Sequence, residues 1–194
     1  MSNLELSRRL VHASGVAIPI SYLLGITNYS LTKYILIILT VIVLILEYFR
    51  LKRNYTNIIY TKLTRDYESK KVAGYALYII GMLFAWIMYP PTAALSGMLL
   101  LSLGDPISGI IGSLKDNSRW SVRILLILIF GLIILPLNIQ EFNVYIGIII
   151  SILASTGALI VDEFKPKING NIIDDNLTIP VVSGLIIFIF IYII

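Results

Sequence analysis

The residues best suited to chemistry are carboxylates that interrupt or end long apolar stretches. Asp105 stands in the sequence Gly-Asp-Pro-Ile-Ser-Gly-Ile-Ile-Gly of residues 104–112. An ionisable side chain within a membrane span costs about 2.5–3.5 kcal/mol on insertion scales, so its presence indicates a function. Because proline tends to break a helix and glycine lets a ligand approach the backbone, we predict a broken helix whose amides hold phosphate beside Asp105. A proline kink packed through small residues is the alternative interpretation.

A second acidic group precedes the last apolar stretch of the chain. Asp174 and Asp175 are followed by Asn176, and Pro180 comes four residues later. Asp175 or Asn176 is a natural helix N-cap. Pro180 then falls near the start of the helix, where backbone N–H groups have no partner within the helix. Capping does not require two adjacent carboxylates, whereas Mg²⁺ binds one or two carboxylates together with phosphate oxygens. We therefore expect Mg²⁺ ligands here.

Three further groups of charged residues flank apolar segments. Four residues share one face of a helix at the start of the chain: Glu5, Arg8, Arg9 and His12. Glu47 and Arg50 are spaced for an i,i+3 ion pair at the end of another apolar segment. A short basic loop with Lys115 and Arg119 directly follows the glycine-rich stretch, so its cations are expected close to any phosphate bound there.

The composition is typical of a membrane protein. Of the 194 residues, 58% are hydrophobic and 13% are charged, whereas a soluble domain is about half apolar and about one quarter charged. The mean hydropathy of +0.90 excludes a soluble globular domain and intrinsic disorder. The chain has no cysteine and one histidine. Disulfides and Cys-ligated metals are thereby excluded, and a zinc site of several histidines or a Ser-His-Asp hydrolase is disfavoured.

We predict an all-α polytopic membrane protein that forms a single transmembrane domain over residues 1–194. A helix needs about 20 residues to cross the hydrocarbon core, and seven segments qualify: residues 10–26, 31–49, 72–90, 92–112, 121–138, 143–161 and 177–194. The first is the weakest, and a signal peptide is its alternative interpretation, although no clear small-residue cleavage site follows it. The basic and aromatic loop of residues 50–71 is typical of a helix that lies in the membrane interface.

The placement of charges predicts the orientation. With seven spans, fourteen of the fifteen Lys and Arg residues fall on one side of the membrane, and only Lys33 falls on the other. The positive-inside rule makes that side, with the N-terminus, cytoplasmic. Ten of the eleven Asp and Glu residues fall there too, with Glu141 as the exception. Because carboxylates contribute little to the rule, we expect instead a polar site at the cytoplasmic surface of the cell membrane.

Four of these segments, in this order, resemble motifs of the CTP-dependent polyprenol kinase family, which includes dolichol kinase, phytol kinase and the CTP-dependent diacylglycerol kinase. They are Arg8–His12, Glu47–Arg50, Gly104–Gly109 and Asp175–Pro180. The resemblance covers nearly the whole chain. One segment departs from the family pattern, because Ser118–Arg123 lacks the glutamate and the glycine that members usually carry before the fifth span.

The resemblance implies transfer of the γ-phosphoryl group of CTP to a long-chain isoprenoid alcohol, with Mg²⁺ as cofactor. It implies Asp105 as base or metal ligand, Glu47 as the residue that orients Arg50, and Arg50 as a phosphate contact. The other implied metal ligands are Asp174, Asp175 and Asn176, and His12 is a further catalytic candidate. The implied contacts of the nucleotide phosphates are Arg9, Gly104, Ser108, Gly109, Gly112, Lys115 and Arg119.

Two other functions fit parts of the pattern. A phosphatidate cytidylyltransferase, or CDP-lipid synthase, shares CTP, Mg²⁺ and a membrane site, but such enzymes are usually longer and carry a Ser-x-x-Lys-Arg segment that this chain lacks. A small transporter would carry charges near the bilayer midplane, where residues 36–44, 124–134 and 185–194 are bare of them. Nucleic acid is not an expected partner. The particular alcohol, the preference for CTP and the formation of a homo-oligomer stay open.

Overall fold

A computed structural model describes residues 3–53, 64, 68–114, 120–164, 166–168 and 171–194. In this part of the chain the helices are α1 (Asn3–Ser14), α2 (Ala17–Leu23), α3 (Tyr29–Arg53), α4 (Gly74–Met88), α5 (Pro91–Leu114), α6 (Trp120–Glu141), α7 (Val144–Phe164) and α8 (Asp175–Ile193). Two strands of two residues each, β1 (Lys167–Ile168) and β2 (Asn171–Ile172), pair antiparallel between α7 and α8. Apart from this short ladder and the segments that connect the elements, the described chain is helical, as predicted.

Among the described residues, four helices are long and apolar enough to cross a membrane: Tyr29–Lys52, Ser121–Glu141, Val144–Phe164 and Asp175–Ile193. Gly74–Met88 is a shorter apolar helix. The outward surfaces of these helices carry large apolar side chains, such as Ile38 and Leu132, which are 59% and 66% exposed. Lipid solvates such surfaces and water does not, so the structure supports a membrane protein.

The first predicted segment, residues 10–26, is two helices instead of one. Pro19 lacks the N–H that would bond the carbonyl of Gly15, and this carbonyl accepts a bond from the N–H of Ile18 at 3.2 Å instead. Gly15 also lies directly against the side chain of Tyr78, where a Cβ atom would overlap the hydroxyl group. The proline and the close approach together explain the break between α1 and α2.

The bundle is built around α8, which packs against α4, α5 and α7, while α3 packs on α4. Small residues let the helix backbones approach closely, as is usual between helices in membranes. Gly97 of α5 lies against the backbone of Pro180, and Gly184 of α8 lies against the ring of Tyr89. The helix that carries the predicted acidic motif at its start is therefore the central one.

Pro180 is the sixth residue of α8 and lies beyond the first turn. The prediction that its missing N–H would fall among the donors without partners is therefore wrong. An α-helix would use that N–H to bond the carbonyl of Asn176. This carbonyl instead faces Gly81 of α4, where a Cβ atom would overlap it. The contact of α8 with α4 thus depends on a glycine opposite a carbonyl that the proline has left without its helical donor.

Antiparallel helices give the bundle two chemically different ends. At one end the turns from α4 to α5 and from α6 to α7 are close together, and Thr92 Oγ1 donates to Glu141 Oε2 at 2.7 Å. Aromatic rings stack at the same end, with Tyr29 and Trp86 centroids 5.2 Å apart, as is common at membrane interfaces. The opposite end, called the charged end below, holds the last turns of α3, α5 and α7 and the first turns of α4, α6 and α8.

We expect Gly97→Ala to destabilise the protein relative to Gly131→Ala. A Cβ atom at Gly97 would lie 2.7 Å from the carbonyl oxygen and 3.1 Å from the Cα of Pro180, whereas at Gly131 the nearest atom would lie 3.8 Å away. Overpacking of this kind costs about 1–3 kcal/mol, and both substitutions gain the same helix propensity. The thermal midpoints of the two purified proteins in detergent measure the difference. Equal midpoints would show that α5 and α8 are not in close contact.

Candidate active site

The last turns of α3 carry a buried ion pair at the charged end. Arg50 Nε and Nη2 donate to the two carboxylate oxygens of Glu47 at 2.8 and 2.7 Å. Glu47 is 3% exposed. A bidentate guanidinium–carboxylate contact is among the stronger charge-assisted interactions, and leaving one partner buried alone is costly. The structure confirms the predicted i,i+3 pair.

This ion pair holds the chain segment that leads into α4. Arg50 Nη1 donates to the carbonyl of Glu68 at 3.0 Å, and Nη2 donates to the carbonyl of Lys71. Glu47 accepts bonds from the N–H of Ala73 at 2.9 Å and from the hydroxyl of Tyr75. Four of the five N–H donors of Arg50 are thus used within the protein. The pair orders residues 68–75, and a contact of Arg50 with phosphate stays a prediction.

Glu68 extends this network to the start of α8. Its Oε1 accepts from the N–H of Gly74 at 3.2 Å, and the residue is 4% exposed. A Cβ atom at Gly74 would lie 3.1 Å from Asn176 Nδ2 and 3.3 Å from Glu68 Oε1. The side chains of Glu68 and Asn176 therefore both lie against the first residue of α4. The sequence analysis did not single out Glu68, because it lies in a basic loop and no regular spacing relates it to the other candidate residues.

Asp174 caps α8. Its Oδ1 accepts from the N–H of Asn176 at 3.0 Å and from Asn176 Nδ2 at 2.6 Å. The prediction that Asp175 or Asn176 is the cap is wrong, because Asp174 is the extended residue, with φ −67° and ψ 140°, that precedes the helix. Burial and, after it, the negative charge of Asp175 raise the pKa of Asp174. Asp175 is then the first helical residue, and its carboxylate is not the capping group.

Asp175 and Asn176 line a small cavity together with Asp162 of α7 and Gly104 of α5. The cavity has a volume of about 20 Å³, which is sufficient for one water molecule or one ion. Two acidic residues and an asparagine from two helices thus border a space of ionic size, and the rest of the lining, such as Leu100 and Ile179, is apolar. This donor set fits Mg²⁺, which binds one or two protein carboxylates and completes its shell with water or phosphate oxygens.

Asp162 is a second residue that the predicted site lacked. The signal that marks Asp105, a carboxylate at the end of an apolar span, is also present at Asp162. Among the side chains that the structure describes, no group of three or more His, Cys, Asp and Glu residues is placed to hold a metal ion by itself. The carboxylate of Asp105, which follows Gly104 in the chain, lies outside the described side chains.

A larger cavity adjoins the small one, because Asp162 lines both. Its volume is about 490 Å³, within the range of about 300–1,000 Å³ that is usual for ligand pockets. Ser108 of α5 and Arg123 of α6 also line it. Arg123 Nε donates to Glu163 Oε1 at 2.8 Å, and both side chains are 32% exposed. Residues with a guanidinium and a hydroxyl group, together with the acidic residues Asp162 and Glu163, therefore line the larger cavity.

His12 lies across Tyr78 from these cavities. The two ring centroids are 4.6 Å apart, and the Tyr78 hydroxyl donates to the His12 carbonyl at 2.9 Å. The same hydroxyl is 2.7 Å from Ser102 Oγ, and Ser102 is on α5, two residues before Gly104. The structure thus links His12 to the helix that lines the small cavity, although His12 lines neither of the two cavities that Asp162 lines.

The predicted broken helix is wrong, because α5 continues through Pro106 to Leu114. The proline removes a single N–H donor, and the packing of α5 against α1, α4, α6 and α8 supports the helix around it. Gly109 and Gly112 are therefore helical residues, whose amides bond carbonyls of the preceding turn. The prediction that these amides bind phosphate required a broken helix, and the continuous helix does not support it.

The remaining predicted residues lie at the edge of the described chain. Arg9 is on α1 and is partly exposed. Lys115 and Arg119 lie outside the described residues, as does most of the predicted interfacial helix, residues 54–63 and 65–67. No protein-family model, curated protein or solved structure matches the chain.

We expect Asp162→Asn and Asp175→Asn each to weaken the binding of a divalent cation about 10–100-fold. The physical reason is the loss of one charged oxygen ligand from a set of two carboxylates. The measurement is a titration of the detergent-purified protein with Mn²⁺, a spectroscopic substitute for Mg²⁺, in which electron paramagnetic resonance reports the free ion. Glu163→Gln is the matched control, because Glu163 is adjacent to Asp162 but pairs with Arg123. Equal affinity in all four proteins would contradict a metal site here.

Proposed function

We propose that the chain is a Mg²⁺-dependent kinase that phosphorylates a long-chain isoprenoid alcohol with CTP. The observation that carries the proposal is the pair of adjoining cavities at the charged end. The smaller one offers Asp162, Asp175 and Asn176 to a metal ion, and the larger one offers Ser108 and Arg123 to phosphate. Phosphoryl transfer needs little else from a protein than a placed metal ion, cations on the phosphates and a positioned acceptor.

In the proposed reaction the alcohol oxygen attacks the γ-phosphorus of CTP. The bond from this phosphorus to the β–γ bridging oxygen breaks, and CDP leaves. Asp105 is our candidate for accepting the hydroxyl proton, because it follows Gly104 at the small cavity. Asp162 and Asp175 would hold the Mg²⁺, which when bound neutralises charge on the phosphates. Arg123 would stabilise the transferred group.

Glu47 and Arg50 act in this proposal as positioning residues. Their bonds hold residues 68–75, and within that segment Gly74 lies against Asn176. A weakened ion pair would therefore displace the wall of the metal site. His12 is a further catalytic candidate, because Tyr78 connects it to Ser102 of α5.

The choice of CTP and of an isoprenoid alcohol rests on the four motifs that resemble the polyprenol kinases. One finding supports the resemblance: all four motifs reach the same end of the bundle. Arg8–His12 contacts Tyr78, Glu47–Arg50 holds the entry to α4, and Asp175–Pro180 packs on Gly74 and Gly81. The fourth motif, Gly104–Gly109, lines both cavities, the small one through Gly104 and the larger one through Ser108. Motifs at alternate span ends share one side of the membrane in any case, so the support comes from these contacts, which bring the motifs to α4 and to the two cavities.

We also propose that the protein crosses the membrane seven times, with its N-terminus and its charged end in the cytoplasm. α1 and α2 together form the first span, and α3 to α8 form the other six. Four helices that are long enough to cross a membrane support the count, and α5, which has 24 residues, adds to them. The distribution of Lys and Arg supports the orientation.

Sealed membrane vesicles test the reaction and its side of the membrane together. With CTP labelled in the γ-phosphate and Mg²⁺ outside, we expect the label to enter a polyprenol alcohol in inverted vesicles. In right-side-out vesicles it should do so only after permeabilisation, because charged CTP does not cross the bilayer. Label in the α-phosphate should not enter the lipid, and vesicles with Asp162→Asn are the control.

Two outcomes would contradict the proposal. Entry of the α label into a lipid would identify a cytidylyltransferase instead of a kinase. Transfer of the γ label in intact right-side-out vesicles, and not in inverted ones, would place the site on the outer surface.

A further inference from the structure

We propose that a cavity between α1, α3 and α4 binds the hydrocarbon chain of a single-chain lipid alcohol, with the hydroxyl of that lipid beside His12 and Tyr75. The inference rests on the proposed function only for the claim that the polar group of the bound lipid is a hydroxyl. The cavity lies apart from the two cavities that Asp162 lines, and the sequence pattern did not indicate it.

The walls of this cavity are apolar. Its volume is about 320 Å³, and half of its ten lining residues are aliphatic, namely Val11, Ile18, Leu39, Val43 and Ile79. No Asp, Glu, Lys or Arg among the described residues lines it. A water molecule inside would find few polar partners, whereas a hydrocarbon chain gains contact with every wall.

The cavity opens towards the outer surface of the bundle. Leu39, Val43 and Ile79 are partly exposed, and the neighbouring outward face of α3 carries Ile38 and Val41, which are 59% and 49% exposed. In a membrane this face meets lipid, so a chain enters from the bilayer and not from water. The occupant that these surroundings fit is therefore a lipid chain.

The cavity surface is almost wholly apolar, but residues that carry polar groups stand at one end, called its polar end. Leu39, Val43 and Glu47 follow one another at intervals of four residues, so they lie on one face of α3. The cavity thus runs along α3 towards the buried Glu47–Arg50 pair. Tyr75 lines it and donates its hydroxyl to Glu47, and His12 lines it from α1. This arrangement fits an amphiphile whose chain lies near Leu39 and whose polar group lies near His12 and Tyr75.

The volume favours one chain over two. About 320 Å³ is at the lower end of the range of about 300–1,000 Å³ for ligand pockets. A single chain segment next to its hydroxyl group fills such a space, and the rest of a long isoprenoid chain remains in the bilayer. A diacyl lipid would need room for a second chain and for a charged headgroup, and the lining offers no charged partner for the latter.

The polar end faces the proposed reaction centre. Tyr75 follows Gly74, which lies against Asn176. Tyr78, which also lines the cavity, is 2.7 Å from Ser102 of α5, near Gly104. A hydroxyl group at this end would therefore be on the side of the cavity from which α5 and α8 reach the metal site.

Photo-crosslinking tests the inference without nucleotide or turnover. The probe is a twenty-carbon isoprenoid alcohol with a diazirine in its chain, added to the purified protein in lipid nanodiscs. We expect cross-links in α1, α3 and α4, and competition by unlabelled geranylgeraniol but not by dioleoylphosphatidylcholine. Val43→Trp fills the cavity and should reduce cross-linking at least about tenfold. Val41→Trp is the matched control, because it makes the same change two residues away on the lipid-facing side of α3.

Three results would overturn the inference: cross-links that map to other helices, equal cross-linking of the two variants, or equal competition by the phospholipid. If Val43→Trp has a lower thermal midpoint than Val41→Trp, Ile79→Phe narrows the same cavity by a smaller change and is read in the same way. Specific cross-linking in a protein that transfers no phosphate would leave the cavity established and the proposed kinase function refuted. Phosphoryl transfer without cross-linking in this cavity would refute the lipid-binding cavity and support the proposed kinase function.

Discussion

The close contact of α8 with α4 and α5 is the constraint on which the charged end depends. Pro180 leaves the carbonyl of Asn176 without a helical donor, and Gly81 allows α4 to lie directly against it. The same approach sets the amide of Asn176 beside Gly74 and directs Asp175 into the cavity shared with α5 and α7. Small residues at helix contacts are thus what lets three helix ends share one site.

A second constraint is that charges buried at a membrane surface need partners. The Glu47–Arg50 pair meets this need and at the same time fixes the segment that begins α4. Asp174 uses its carboxylate to cap α8. Glu47 and Asp174 therefore have structural roles, whereas Asp162 and Asp175 line the small cavity and are the acidic residues that we propose for a metal ion. The combination of this site with an apolar cavity next to the bilayer fits an enzyme that takes one substrate from water and the other from lipid.

The sequence predicted the features that depend on neighbours in the chain. Apolar runs gave the helices, and the spacing of Glu47 and Arg50 gave their ion pair. The sequence did not predict the features that depend on packing. Pro106 does not break α5, because neighbouring helices support it, and the cap of α8 precedes both residues that were expected to form it. Asp162 and Glu68 were missed for the same reason, since only the fold brings them to Asp175 and Asn176.

The most direct test of the charged end as a catalytic centre is the rate of γ-phosphoryl transfer from CTP to a polyprenol alcohol by the purified protein and by Asp105→Asn. The account predicts a rate at least about 10²-fold lower in the variant, the lower range for loss of a positioned proton acceptor. CTP affinity, measured on the same variant, should change little if Asp105 is the base and should weaken if it binds Mg²⁺. Glu141→Gln, at the opposite end of the bundle, should keep the native rate. A native rate in Asp105→Asn would contradict the account.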